Sequence, residues 1–292
     1  MSKLLSIAIP TYNRSQALKN TLENFISQIL FNHLEKTVEI VVSDNASTDN
    51  TCQTVTTLQQ DYSAITLRYS KNAQNILWEN IQKAASLCQA DYVWFCGDDD
   101  IYFHNAVEKI VHILSHNSVD AVYVNQVNGR GYITPIPQDE IVTKDRFFQL
   151  VHQDPEFIST VIVKRDKISP TISIHTWYHL ACLLNLPQDA KFYITKQPFV
   201  YNKPATRTWV NKKNLINYTF DAIETIKLSN ASTLTKKRLL NIYSIIFIKL
   251  NYGGGTQGNI AKRSYMVRVA TFLTQTLHIQ LEKFLFLWKK IL

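Results

Sequence analysis

The chain has 292 residues, 46% of them hydrophobic, enough to bury a sizeable core and too many for a disordered chain. Its formal net charge of +8 is unevenly spread, −4 over residues 1–200 and +12 over residues 201–292. The four cysteines, Cys52, Cys88, Cys96 and Cys182, include no Cys-x-x-Cys pair, which argues against a zinc site or a disulfide framework and suits a reducing compartment. The opening Met-Ser-Lys lacks the apolar core of a signal peptide, and no apolar run reaches the roughly 18 residues that a spanning helix needs. A cytoplasmic protein is expected.

In chain order, Leu4–Pro10 reads as a short buried strand ended by proline. Ala17, Leu18, Leu22, Phe25, Ile26 and Ile29 recur at helical spacing over 15–29, with Ser15 as a plausible N-cap. Val38–Val42 is a second strand, followed by a helix over 50–60 that Asp49 or Thr48 can cap. Thr66–Tyr69, Tyr92–Phe95 and Ala121–Val124 are further strands, separated by helical patterns at 75–88 and 104–116. Strands alternating with helices predict an α/β fold with a mostly parallel sheet. Glycines and prolines at 129–137 mark turns of a hairpin. Helical segments at 143–152 and 175–186 then alternate with extended ones at 158–163 and 192–200. From about residue 211 the chain reads as helix, broken at Gly253-Gly254-Gly255.

The fourth strand runs into Gly97-Asp98-Asp99-Asp100. Three adjacent carboxylates repel one another and are costly to desolvate. A divalent cation relieves that cost, and Mg²⁺ or Mn²⁺ favours hard oxygen ligands. The carboxyl ends of strands are also where open α/β sheets bind ligands. The competing reading is a solvated acidic turn. At the other end of the chain, residues 262–292 place Tyr265, Val269, Phe272, Leu273, Leu277, Leu281, Phe284, Leu285 and Trp288 near one helical face beside Lys and Arg. Such a helix suits an anionic membrane surface, its own domain or a second subunit in a homo-oligomer. No nucleic-acid motif accompanies the basic segment, so no nucleic-acid partner is expected.

Four segments carry a resemblance together. They are Ile7-Ala8-Ile9-Pro10-Thr11-Tyr12-Asn13-Arg14, Val41-Val42-Ser43-Asp44-Asn45-Ala46-Ser47-Thr48-Asp49, the asparagines Asn72, Asn75 and Asn80, and the aspartate cluster. The set resembles family 2 glycosyltransferases of the GT-A fold, and its Gly-Asp-Asp-Asp form looks most like the abequosyltransferase-like branch of bacterial O-antigen synthesis. The resemblance is close over residues 4 to about 125 and thin beyond. It implies a nucleotide-binding half (1–125) and an acceptor half (126–210), making a GT-A domain over 1–210. A basic helical region (211–292) follows.

The implied activity is sugar transfer from a nucleotide-diphosphate donor to a saccharide acceptor in lipopolysaccharide, O-antigen or capsule synthesis. A lipid-linked acceptor would place the enzyme peripherally on the inner face of the cytoplasmic membrane. Tyr12 would pack on the base, the backbone at Pro10 and Thr11 would bond its edge, and Asp44 would accept from a base N–H. Asn80 would reach the nucleotide and Asp98 the ribose. Asp98, Asp99 and Asp100 would supply the ligands for Mn²⁺ or Mg²⁺, with Asp99 or Asp100 favoured. Arg207, or Lys203, would close on the pyrophosphate. The acidic pair that serves inverting members as a base is missing from residues 173–180, where His175 falls instead. Asp154, Glu156 and Asp189 are the other candidates, and stereochemistry stays open. A GT-A module that binds nucleotide without catalysis is the alternative.

Overall fold

The computed structural model describes residues 2–128, 131–132, 134–151, 157–168, 177–202 and 221–252. The chain divides into two compact units, Met1–Ala205 and Thr206–Leu292. The first is built on one ten-stranded sheet. Its strands are β1 (Leu5–Thr11), β2 (Val38–Asp44), β3 (Leu67–Lys71), β4 (Tyr92–Phe95), β5 (Ile101–Tyr102), β6 (Ala121–Asn128), β7 (Gly131–Tyr132), β8 (Glu140–Thr143), β9 (Val161–Lys164) and β10 (Lys191–Tyr201). They lie in the order β3-β2-β1-β4-β9-β6-β10-β5, with β7 on β6 and β8 on β10.

β1 pairs in parallel with both β2 and β4, and β2 with β3. β9 is antiparallel to its neighbours β4 and β6. Two reversals restore direction, so β6 and its parallel partner β10 run the same way as β4. β9 and β10, read from sequence as part of an acceptor half, therefore belong to the same sheet as the first four strands.

β2 and β4 are buried along their whole length, as expected of parallel strands covered on both faces. Helices α1 (Ser15–Phe31), α2 (Thr51–Asp61) and α4 (Ala106–His116) cover one face. Leu18, Leu22, Phe25, Ile26 and Ile29 of α1 pack there with Ile7, Ile40 and Trp94. α3 (Glu79–Ser86) lies on β1 and β2 and meets α6 (Tyr178–Asn185). α5 (Lys144–Leu150) stacks Phe147 on Phe192 of β10, ring centres 4.5 Å apart. In the second unit, residues 221–228 form α7 and Thr233–Tyr252 form α8. Among the described residues no helix is long and apolar enough to cross a membrane. The basic helix expected over 262–292 lies outside the described residues.

Helix starts differ in detail from the sequence reading. Ser15 is the first helical residue of α1, and Arg14 stands at the capping position without a side-chain cap. The backbone N–H of Ser15 instead donates to Asp49 Oδ2 at 3.0 Å, while Asp49 Oδ1 accepts from Thr51 N at the start of α2, also at 3.0 Å. One carboxylate thus caps two helices, and these hydrogen bonds outweigh partial burial and hold its pKa down.

Candidate active site

The loops that follow β1, β2 and β4 meet at the carboxyl edge of the sheet, because those strands are parallel neighbours. The first two loops are laced together. Asn13 takes a left-handed backbone (φ 51°), which asparagine tolerates, and its Oδ1 accepts from Thr48 N at 2.7 Å. Its own N–H donates to Ser47 Oγ at 2.8 Å, and Asn45 N donates to the Thr11 carbonyl at 2.9 Å. Tyr12 projects from this frame with 45% of its surface exposed, open to a stacking ligand. Pro10 is half-buried and Thr11 buried.

Asp44 is fully buried. Its Oδ1 accepts from Ser47 N at 2.8 Å and its Oδ2 from the Tyr69 hydroxyl. Burial and this carboxylate push the Tyr69 phenol pKa well up, so Tyr69 stays a donor. Asn80 is equally committed. Its Nδ2 donates to the Ser43 carbonyl at 2.8 Å, and its Oδ1 accepts from Ser43 Oγ at 2.7 Å and Asn72 Nδ2 at 2.9 Å. Asn45 bridges onward to Asn75 Oδ1 at 2.8 Å. The structure therefore gives Asp44 and Asn80 framework partners at the positions where the sequence reading expected nucleotide contacts.

The three aspartates separate by environment. Asp98 is buried, with Oδ2 accepting from Thr11 Oγ1 at 2.7 Å and Oδ1 from Arg14 Nη1 at 2.9 Å. Thr21 Oγ1 of α1 holds its carbonyl at 3.0 Å. Burial pushes the Asp98 pKa up to about 6 against the opposing pull of Arg14 and Thr11. Of the three cation ligands expected from sequence, Asp98 thus has both oxygens on protein groups. Asp99 keeps a side chain 39% exposed, with Oδ2 2.8 Å from the same Arg14 nitrogen. Asp100 Oδ2 accepts from Ser159 Oγ.

Ser159 is a hub that the sequence reading did not single out. Its Oγ also accepts from Gly97 N at 2.9 Å and lies 2.9 Å from the Tyr102 hydroxyl, and its carbonyl accepts from Trp94 Nε1 at 2.9 Å. Below the loop, Phe25, Trp94 and Tyr102 form an aromatic cluster with ring centres 4.4–5.5 Å apart. Position 97 has no room for a side chain, since a methyl there would collide with Asp100 Oδ2. Gly97→Ala is expected to leave the melting temperature within a few degrees of wild type while lowering at least tenfold any activity that depends on the Asp100 carboxylate. Only the short Asp100 side chain must move, which circular-dichroism melting and an activity assay would separate.

Arg14 is the second residue missed. Burial disfavours its charge, but Asp98 and Asp99 more than offset this and keep its pKa raised. His175, Arg207, Lys203, Asp154 and Glu156 lie outside the described residues. Asp189 is exposed in the turn before β10, at the amino edge of the parallel strands, so the sheet does not bring it to the aspartates. No group of three His, Cys, Asp or Glu side chains able to hold a metal is found among the described residues.

Residues 6–169, more than half of the chain, match the sequence model of Glycosyl transferase family 2. The abequosyltransferase RfbV of Salmonella typhimurium is 37% identical over 98 residues, 33% of this chain and 28% of that protein. A GalNAc(5)-diNAcBac-PP-undecaprenol beta-1,3-glucosyltransferase of Campylobacter jejuni is 32% identical over 109 residues, 37% of this chain and 33% of that one. The matched stretch thus spans about a third or less of either relative. Among solved structures, S. aureus TarS bound to UDP superimposes with a TM-score of 0.66 at 15% identity, covering 94% of this chain and 81% of that one. A mannosyltransferase from Pyrobaculum calidifontis in complex with GDP-Man and Mn²⁺ gives 0.59 at 15%, covering 94% and 82%. The GT-A fold expected from the motifs is the fold found.

Proposed function

Since the chain belongs to glycosyl transferase family 2, we propose that it transfers a sugar from a nucleoside-diphosphate donor to a saccharide acceptor in bacterial surface-polysaccharide synthesis. The observation that carries this reading is the convergence of three loops on one sheet edge, with the exposed ring of Tyr12 on the same edge as Asp99 and Asp100. Tyr12 supplies a face for the base. Asp44 braces the neighbouring loops through Ser47 and Tyr69 and would accept from a base N–H.

The donor set fits a hard divalent cation. Among the described residues, Asp99 and Asp100 lie beside one guanidinium, that of Arg14, in a half-buried acidic loop. Asp99 and Asp100 would hold Mn²⁺ or Mg²⁺. When bound, the cation neutralises charge that develops on the leaving diphosphate. Ser159 and Gly97 orient Asp100 for that role, and Thr11 and Arg14 fix the loop from the other side. The group that takes the acceptor proton is proposed as His175 or a phosphate oxygen of the donor, since residues 173–180 include no acid. The +12 charge of residues 201–292 supports contact with an anionic membrane surface bearing a lipid-linked acceptor.

Thermal-shift measurements with UDP, GDP, CDP and dTDP, each with and without Mn²⁺, test the donor site. One nucleotide at about 100 times its dissociation constant should stabilise the fold by about 2.7 kcal/mol, and more so with the cation. Folded protein that no nucleotide stabilises would overturn the transferase reading. Stabilisation without any donor turnover, across a range of saccharide acceptors and water, would favour the non-catalytic module.

A further inference from the structure

Among the described residues, Arg14 lies against Asp98 and Asp99 through a single nitrogen. Nη1 lies 2.9 Å from Asp98 Oδ1 and 2.8 Å from Asp99 Oδ2. Nε and Nη2 bond to nothing among the described residues, and the side chain is 26% exposed. A guanidinium carries five N–H donors in a planar fork that matches phosphate oxygens in pairs. Here the fork is fixed at one corner by a buried carboxylate, which leaves donors on a partly exposed side chain beside the candidate cation position.

The electrostatics give Arg14 two opposed roles. Without donor, it occupies Asp99, which the incoming cation also needs, so the two cations compete. With a cation on Asp99 and Asp100, the Arg14–Asp99 contact becomes redundant, whereas a diphosphate offers the guanidinium a doubly charged partner. Asp98, buried and bonded to Thr11, keeps its hold on Nη1 throughout.

We infer that Arg14 is a ligand of the donor's diphosphate, anchored by Asp98 and released from Asp99 when the cation and nucleotide bind together. The inference rests on the transferase reading and assigns a residue to it. Two binding measurements with opposite expected signs test it. Mn²⁺ alone, followed by the electron paramagnetic resonance of the free ion, should bind Arg14→Gln several-fold more tightly than wild type, because the competing charge is gone. Calorimetry at saturating Mn²⁺ should show the nucleoside diphosphate selected by the wild type binding Arg14→Gln at least about tenfold more weakly, the scale of one lost charge-assisted contact.

A merely structural arginine would weaken both. Arg14→Lys retains the charge and loses the fork, so it should bind Mn²⁺ like the wild type and the nucleotide several-fold more weakly. This variant answers the question on its own if Arg14→Gln does not fold. Unchanged nucleotide affinity in the variants, or Mn²⁺ binding no tighter in folded Arg14→Gln, overturns the inference while leaving the transferase reading intact. A wild type that binds none of UDP, GDP, CDP and dTDP overturns both.

Discussion

Asp100→Asn and Asp99→Asn are each expected to lower sugar transfer by about 10²–10³-fold in a protein that melts near the wild-type temperature. Asp99 has a side chain 39% exposed and Asp100 is half-buried on Ser159, so substitutions that keep shape leave the apolar packing of the core unchanged. Asparagine keeps the shape of each side chain and an acceptor oxygen, but removes the charge that would attract a divalent cation. Dialysis against a chelator should abolish transfer in the wild type, and Mn²⁺ or Mg²⁺ should restore it. Asp98→Asn is the contrasting case. Its carboxyl already faces Thr11 and Arg14 and is pushed towards its neutral form by burial, so the change acts on loop geometry rather than on a cation ligand. Equal losses of activity in all three variants would show that the cluster acts as one unit. Full activity in Asp100→Asn, or insensitivity to chelation, would remove the cation from the mechanism.

Much of the nucleotide half was legible because its signals are local. Buried runs such as Val38–Val42 and the helical spacing of Leu18, Leu22 and Phe25 are written within a few residues, and the aspartates announce their own electrostatic problem. Ser159 was not legible. It reaches Asp100 only because β9 inserts antiparallel between β4 and β6, a pairing that no periodicity records. Arg14 could have been found. It sits in the loop after β1, and once β1 and β4 are taken as parallel neighbours, their following loops share an edge. A lone cation in one must then answer three acids in the other.

Asp44 and Asn80 illustrate the converse difficulty. Aspartate and asparagine at strand ends suit both ligand binding and turn architecture, and the structure shows both residues tied into the loop framework. The candidate base His175 and Arg207, the candidate for closing on the pyrophosphate, lie outside the described residues.

The opposite edge of the sheet carries the second large effect, on stability rather than activity. Glu39 of β2 is 1% exposed. Its Oε1 accepts from the Ser6 hydroxyl of β1, from Gln89 N at 2.7 Å and from Ala90 N at 3.3 Å just before β4. Its Oε2 lies 3.2 Å from Arg68 Nε of β3. One buried carboxylate therefore gathers the starts of four neighbouring strands. Removing it leaves Gln89 N and the Ser6 hydroxyl without their acceptor, while Ala90 N keeps Ser6 Oγ and Arg68 keeps the Leu87 carbonyl. Arg68 is partly exposed, so the main cost is that of buried donors left unsatisfied, about 1–3 kcal/mol. Glu39→Ala is expected to lose that much, read as a lower urea midpoint at unchanged slope. Glu39→Gln should lose distinctly less, because an amide oxygen still accepts from Gln89 N. Arg68→Met, whose partner keeps its backbone donors, should fall between wild type and Glu39→Ala. A loss under about 1 kcal/mol in Glu39→Ala would mean that water enters to replace the carboxylate, and that the strand starts are held by the apolar core alone. Because this edge is remote from the aspartates, any folded fraction of Glu39→Gln should bind nucleotide like the wild type, which separates a defect of the scaffold from a defect of the site.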